Sequence, residues 1–231
     1  MIIQRIPIKL DELDTSMTPE QRELAQLAKD YLRVALMYES ATKEVATKLD
    51  ILNDEFQALH SRNPIHSIQC RVKSPYSVAE KLRRKNLAVD VQTAQDNLFD
   101  LAGVRVICSY IEDIYTIASM LCQQDDIHLV RQRDYIQNPK PNGYHSLHLI
   151  VTVPVFFSDK KRYVPVEIQI RTVAMDFWAT LEHDIHYKSK GPVSEEVVRE
   201  LTACADVINQ TDIRMQELYH KTLADKEQND E

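Results

Sequence analysis

YVPVEIQIR, residues 163–171, alternates without a break: Val164, Val166, Ile168 and Ile170 point one way, Glu167, Gln169 and Arg171 the other. Side chains two apart share a face of a strand, so this segment is expected to bury one face in a core and present a polar one. A polar face is commonly just the wet side of a sheet. Here it sets an acid, an amide and a guanidinium side by side. Upstream, residues 146–155 read as a second strand, joined to the first by a polar hairpin at 157–162. Downstream, residues 173–188 read as a helix that stops at the breaker pair Gly191-Pro192.

The pattern continues outward in both directions. Residues 68–73, 104–110 and 127–133 read as strands, 74–86 and 112–123 as helices, and 87–97 as a loop without periodicity. From Thr18 to Arg62 there is neither Gly nor an interior Pro. Thr18 can cap a helix, Pro19 suits its first turn, Gln21 completes a capping box, and Asn63-Pro64 ends the segment. A last helix spans 194–224, ahead of a charged tail. Helices and strands mixed in this order imply an α+β sheet domain flanked by helices. The expected division is an N-terminal helical extension at 1–66, a central domain at 67–191, and a C-terminal helical extension and tail at 192–231.

Bulk properties narrow the class. The 231 residues carry 28 Lys and Arg against 35 Asp and Glu, a formal charge of −7. An acidic chain is a poor general binder of nucleic acid, whose backbone demands dense positive charge. Positive charge is instead concentrated between Arg71 and Lys85, which favours a small polyanion over a long one. No apolar run approaches a membrane span, and residues 1–10 are too short and mixed for a secretion signal. Cys70, Cys108, Cys122 and Cys204 are scattered without a CxxC pair, as expected of free thiols in a reducing cytoplasm.

Three further segments carry chemistry. DYIQNPKPNGYHSLH (134–148) brings together a cation, amides and a flat aromatic ring, and prolines either side of Lys140 restrict its backbone. In RVKSPYSVAEKLRRK (71–85), Arg71 and Lys73 share a strand face, while Ser77, Lys81, Arg84 and Lys85 fall on one helical stripe. Such cations repel one another unless an anion joins them. DLAGVRV (100–106) sets Asp100 before a strand, Gly103 where a backbone can approach closely, and Arg105 on the strand. His183 and His186, three apart on a helix, have no apparent third ligand and read as structural.

With VEIQIRTVAMDFWATLEH (166–183), these segments make four ordered motifs that resemble the synthetase domain of the RelA/SpoT family, the guanosine tetra- and pentaphosphate (alarmone) synthetases, over roughly residues 71–188. The resemblance implies a nucleotidyltransferase-like fold with a mixed sheet of about five strands. By the same resemblance Arg71, Lys73, Ser77, Lys81, Arg84 and Arg105 contact ATP. Asp100 and Glu167 hold Mg²⁺, and these two with Arg105 form the catalytic set. Tyr144 stacks on guanine, and Lys140, Asn142, His148 and Gln169 contact GDP or GTP, with Arg131 and Arg133 on the acceptor's 5′ phosphates. Arg171 is expected to hold structure through a carboxylate, and Glu182 and His183 to buttress the site. His145 stands where many relatives have Arg or Gln, which bears on the choice between GDP and GTP.

The activity so implied is that of a GTP pyrophosphokinase, a cytoplasmic enzyme of the small, stand-alone kind that forms homotetramers through its terminal helices. Two other readings use the same residues: a non-catalytic nucleotide or single-stranded RNA binder on this fold, and a nucleotidyltransferase that moves a nucleotide instead of pyrophosphate.

Overall fold

The computed structural model describes residues 18–188 and 193–229. Among these the chain runs α1 (Pro19–Leu59), β1 (Ile65–Val72), α2 (Pro75–Arg84), α3 (Val91–Asn97), β2 (Ala102–Cys108), α4 (Ile111–Cys122), β3 (His128–Asp134), β4 (Leu147–Phe156), β5 (Lys161–Thr172), α5 (Val173–Lys188) and α6 (Glu195–Asn229). The strands form one five-stranded sheet in the order β1-β2-β5-β4-β3. β2 and β5 pair in parallel, and the other neighbours are antiparallel. The sheet is therefore mixed and the fold α+β, as expected.

Local chemistry sets the boundaries. Thr18 Oγ1 accepts from the Gln21 amide while Gln21 Oε1 accepts from that of Thr18, so the capping box starts a helix of 41 residues. Asn63 closes the exit: its side chain donates to Asn53 Oδ1 at 2.9 Å and accepts from the Ile65 amide at 2.9 Å, turning the chain into β1. The expected loop at 87–97 contains a helix, α3, which corrects the sequence reading. Asp90 caps it by accepting from the Thr93 amide at 2.8 Å, and Ala94 and Leu98 pin it to the core. Its seven residues are too few for a periodic signal. The breaker pair at 191–192 and residues 1–10 lie outside the described residues.

One face of the sheet is the core. Leu147, Leu149, Val151 and Val153 of β4 and Val164, Val166, Ile168 and Ile170 of β5 are fully buried or nearly so. They share a cluster with Tyr38, Ala41, Val45 and Leu49 of α1 and Ile114, Ile117 and Leu121 of α4. Each Val, Leu or Ile among them contributes about 1.5–3 kcal/mol on burial. β4 alternates between buried and half-buried residues along nearly its whole length, so the intervening side chains are delivered to the opposite face.

Candidate active site

The opposite face reads across the strands in two rows. In the first, Arg71 lies opposite Gly103, Gly103 opposite Glu167, Glu167 opposite Ile150, and Ile150 opposite Arg131. In the second, Gln69 faces Arg105, Arg105 faces Gln169, Gln169 faces His148, and His148 faces Arg133. Eight of the residues singled out in the sequence, Gly103 among them, thus lie on adjacent rows of one surface. A cleft of about 170 Å³ opens there, lined by Gln69, Arg71, Arg105, Glu167 and Gln169. Gly103 lies beneath the side chain of Arg71: a Cβ there would sit 3.6 Å from Arg71 Cγ and Nε. A longer side chain would therefore enter the space that Arg71 crosses.

At the rim, the strand and helix cations converge on Asp100. Its Oδ2 lies 2.5 Å from Lys81 Nζ and 3.2 Å from Lys73 Nζ. The Lys73 amide donates to the Leu101 carbonyl at 2.8 Å, which ties the end of β1 to the start of β2. Burial alone would raise the Asp100 carboxyl, but the two ammonium groups outweigh it and hold the group below its ordinary range. Asp100 Oδ1 is buried without a hydrogen-bond partner. Ser77 is half-buried in the first turn of α2, its hydroxyl 3.0 Å from the capping Ser74 hydroxyl. Arg84 is exposed on the last turn and does not join this cluster, while Arg83 turns to Glu20 and Glu23 of α1.

Behind the rim runs a closed ring of polar contacts. Gln169 donates to Glu167 Oε2 at 2.8 Å, and Arg171 donates to Gln169 Oε1 at 2.7 Å and to the Tyr144 hydroxyl at 2.8 Å. That hydroxyl lies 2.8 Å from His148 Nε2, and His148 Nδ1 lies 3.4 Å from Glu167 Oε1. With neutral His148 every direction agrees: Tyr144 donates to Nε2, and Nδ1–H points at Glu167. Burial pushes the Glu167 carboxyl up, His148 and Gln169 bring it down further, and the charge of Asp100 opposes them; the net shift is downward. The charge of Asp100 thus reaches Glu167, although Asp100 stands at the rim and is not among the residues that line the cleft.

Asp176 was not singled out in the sequence. Its Oδ1 meets Arg171 at 3.1 Å and Arg105 at 3.3 Å, so one carboxylate in the first turn of α5 braces two cations of the polar face. It is the carboxylate expected for Arg171, a residue only 4% exposed.

The loop that follows β3 folds over the outer strands. Gly143 donates to the Lys140 carbonyl at 2.8 Å and adopts φ +85°, a conformation that glycine tolerates. Lys140 Nζ sits 4.4 Å from the centre of the Tyr144 ring and 4.7 Å from that of Tyr135. Tyr135 meets Tyr144 and His148 edge-on, so an aromatic the sequence reading passed over walls the same spot. Asn142 reaches Glu182 of α5 at 3.1 Å. Burial raises the Tyr144 phenol, with Arg171 pulling the other way. Arg133 donates to the Tyr135 hydroxyl at 3.3 Å, and Arg131 lies 5.6 Å over the ring of Phe99, the residue before Asp100.

Among the described residues no group of three or more His, Cys, Asp or Glu side chains gathers as a metal site. The side chain of His186 lies outside the described residues. Two carboxylates with hard oxygen donors, one oxygen of Asp100 buried and unpartnered, suit a cation that takes few protein ligands and completes its shell from water and phosphate.

The chain belongs to the RelA/SpoT family: the region found in RelA / SpoT proteins matches residues 70–192, which contain all four motifs. Among curated relatives, GTP pyrophosphokinase YwaC of Bacillus subtilis (strain 168) is 41% identical over 203 residues, 88% of this chain and 96% of its own length. GTP pyrophosphokinase YjbM of the same organism is 36% identical over 191 residues, 82% of this chain and 89% of its own. Among solved structures, small alarmone synthetase 1 from Bacillus subtilis bound to its product pppGpp superposes with TM-score 0.78 at 35% identity, covering 84% of this chain and 98% of that one. Small alarmone synthetase 2 from the same organism gives 0.75 at 41% identity, over 83% and 99%.

Proposed function

We propose that this chain is a GTP pyrophosphokinase that transfers the βγ-pyrophosphoryl group of ATP to the 3′ hydroxyl of GDP or GTP, in the cytoplasm. The observation that carries the reading is the pair of polar rows, which sets the cations of β1 and β2 beside Glu167 and the Tyr144 loop. Arg71, Lys73, Ser77, Lys81 and Arg105 take the ATP phosphates, with Arg84 at the edge of that site. Tyr144, Lys140, Asn142, His148 and Gln169 take the guanosine nucleotide, and Arg131 and Arg133 its 5′ phosphates. The acceptor's 3′ oxygen forms a bond to the β-phosphorus, the bond from that phosphorus to the α–β bridging oxygen breaks, and AMP leaves with that oxygen. Glu167 accepts the hydroxyl proton, directly or through a water, with a carboxylate oxygen not taken up by the metal. Little covalent work falls to the protein, so catalysis rests on in-line positioning and charge neutralisation.

Asp100 and Glu167 would hold Mg²⁺, which when bound supplies positive charge to the transferring phosphates. The unpartnered Asp100 Oδ1 supports this assignment. Lys73 and Lys81 hold Asp100 ionised and aimed, and His148 and Gln169 do the same for Glu167. The purified protein incubated with ATP, GDP and Mg²⁺ should yield AMP and a 3′-pyrophosphorylated nucleotide on ion-exchange chromatography. Absence of both products under several divalent metals would overturn the reading, and a nucleotidylated product with free pyrophosphate would favour nucleotidyl transfer.

The proposed assembly is a homotetramer. Phe177, Leu181 and Ile185 of α5 and Val207 of α6 leave an exposed apolar strip that supports burial against further copies. Light scattering at a monomer mass would contradict it. No helix of the described residues is long and apolar enough to cross a membrane.

A further inference from the structure

The loop read above as the acceptor site is stopped from behind by α6, a helix that lies beyond the residues matched by the family region. The contact is made at Gly143. A Cβ built there would lie 2.5 Å from the Ala205 Cβ, closer than two carbons can approach, and 3.5 Å from Thr202 Cα. Both partners are already small, so backbone and helix touch with nothing between them that can yield. The gap lined by Gly143, His145, Met175, Trp178, Ala205 and Ile208 measures about 10 Å³, at the lower limit for a single water. Tyr144 is the next residue along, and its hydroxyl is fixed at the far end by Arg171 and His148.

The helix that provides this stop is itself anchored along its length. Trp178 Nε1 donates to the Leu201 carbonyl at 2.9 Å, one turn before Ala205. Thr172, the last residue of β5, donates to buried Asp212 at 2.5 Å, two turns after it. Farther on, Gln216 accepts from the Glu112 amide at 2.8 Å, and Tyr219 accepts from Arg62 at 3.0 Å. α6 is thus tied to α5, β5, α4 and the residues that follow α1. A segment held at so many points cannot move aside locally when the loop presses on it.

We propose that α6 is the backstop of the acceptor loop, with Ala205 the positioning residue that acts through Gly143 to set where the Tyr144 ring lies over the polar face. The proposal rests on the reading of this loop as the acceptor site. Enlarging residue 205 displaces Gly143 and Tyr144 with it, while the ATP cations on β1, α2 and β2 stay in place. Binding of one substrate should change and binding of the other should not, a split that general loosening of the fold does not produce.

The test is a graded series, Ala205→Ser, Ala205→Val and Ala205→Leu, with KM for GDP, KM for ATP and the thermal midpoint measured for each. The GDP KM should rise with side-chain volume, by about tenfold at Leu, while the ATP KM stays within about twofold. A flat GDP KM across the folded variants overturns the proposal, as does a parallel rise of both constants. Should the Leu variant not fold, Ser and Val decide by the same criterion. Tyr144→Ala run alongside separates the two layers of the argument. If it raises the GDP KM while the 205 series stays flat, the backstop alone fails. If it leaves the GDP KM unchanged, the loop is not the acceptor site and the proposal falls with that reading.

Discussion

Glu167 and Ile168 are neighbours in β5 and belong to opposite sides of the molecule. Ile168 is fully buried, paired in register with Val104 and Leu149, inside a cluster roofed by α1 and α4. Glu167 is in register with Gly103 and Ile150 and is gripped by His148 and Gln169. On the apolar side, alternate residues of β2, β4 and β5 do the same work and no single one is special. On the polar side Asp100, Glu167, Arg105 and Arg171 are each held by particular partners, because a buried charge without one is expensive. The pleat of the strand separates stability from chemistry within a single residue step.

That contrast can be broken by experiment. The largest effect should come from Glu167→Gln, which keeps shape and removes charge: turnover should drop by roughly a thousandfold or more while the thermal midpoint barely moves. Asp100→Asn should behave alike, read as AMP released per minute. A wild-type rate in either variant would remove the polar face from the chemistry. One residue along, Ile168→Ala should cost about 2–5 kcal/mol of stability through the lost contacts and the cavity left behind. Urea unfolding measures this, and the fraction still folded should keep an unaltered ATP KM.

Two smaller effects sharpen the division within the polar side. Tyr144→Ala should raise the acceptor KM by about tenfold, in line with roughly 1–3 kcal/mol for stacking on one base, and leave that of ATP unchanged. Asp90→Ala, which removes the cap of α3, should cost about 1 kcal/mol or less at neutral pH. Hydrogen bonds from Thr93 hold the Asp90 carboxyl below its ordinary range. The cap therefore contributes above the unfolded pKa and is lost as pH falls through the lower folded value. The gap between wild type and variant, followed by urea unfolding, should narrow on acidification; a gap that widens would contradict the sign.

What could be read in the chain beforehand follows the reach of each signal. The alternation of 163–171 marked both faces of β5, and the capping box with an unbroken run marked α1, because both depend on residues a few positions apart. The parallel pairing of β2 with β5 joins residues more than sixty positions apart, as in Gly103 with Glu167. Only the resemblance to known synthetases brought Asp100 and Glu167 together in advance. α3 escaped notice because seven residues hold one buried alanine and no period. Asp176 was missed because its partners Arg105 and Arg171 meet only once β2 and β5 are paired, although an acid five residues after Arg171 was a local hint. Tyr135 was passed over beside the more conspicuous Lys-Pro-Asn-Gly-Tyr run, yet Lys140 sits between the two rings.

The claim beneath all of this is that ATP and its acceptor meet on the polar face of β1, β2, β5 and β4. A crystal structure of the protein with a non-hydrolysable ATP analogue, GDP and Mg²⁺ tests it most directly. The triphosphate should lie against Arg71 and Arg105, the guanine against Tyr144, and a metal between Asp100 and Glu167. Nucleotide density confined to another surface, such as the apolar strip between α5 and α6, with the polar rows empty, would contradict it.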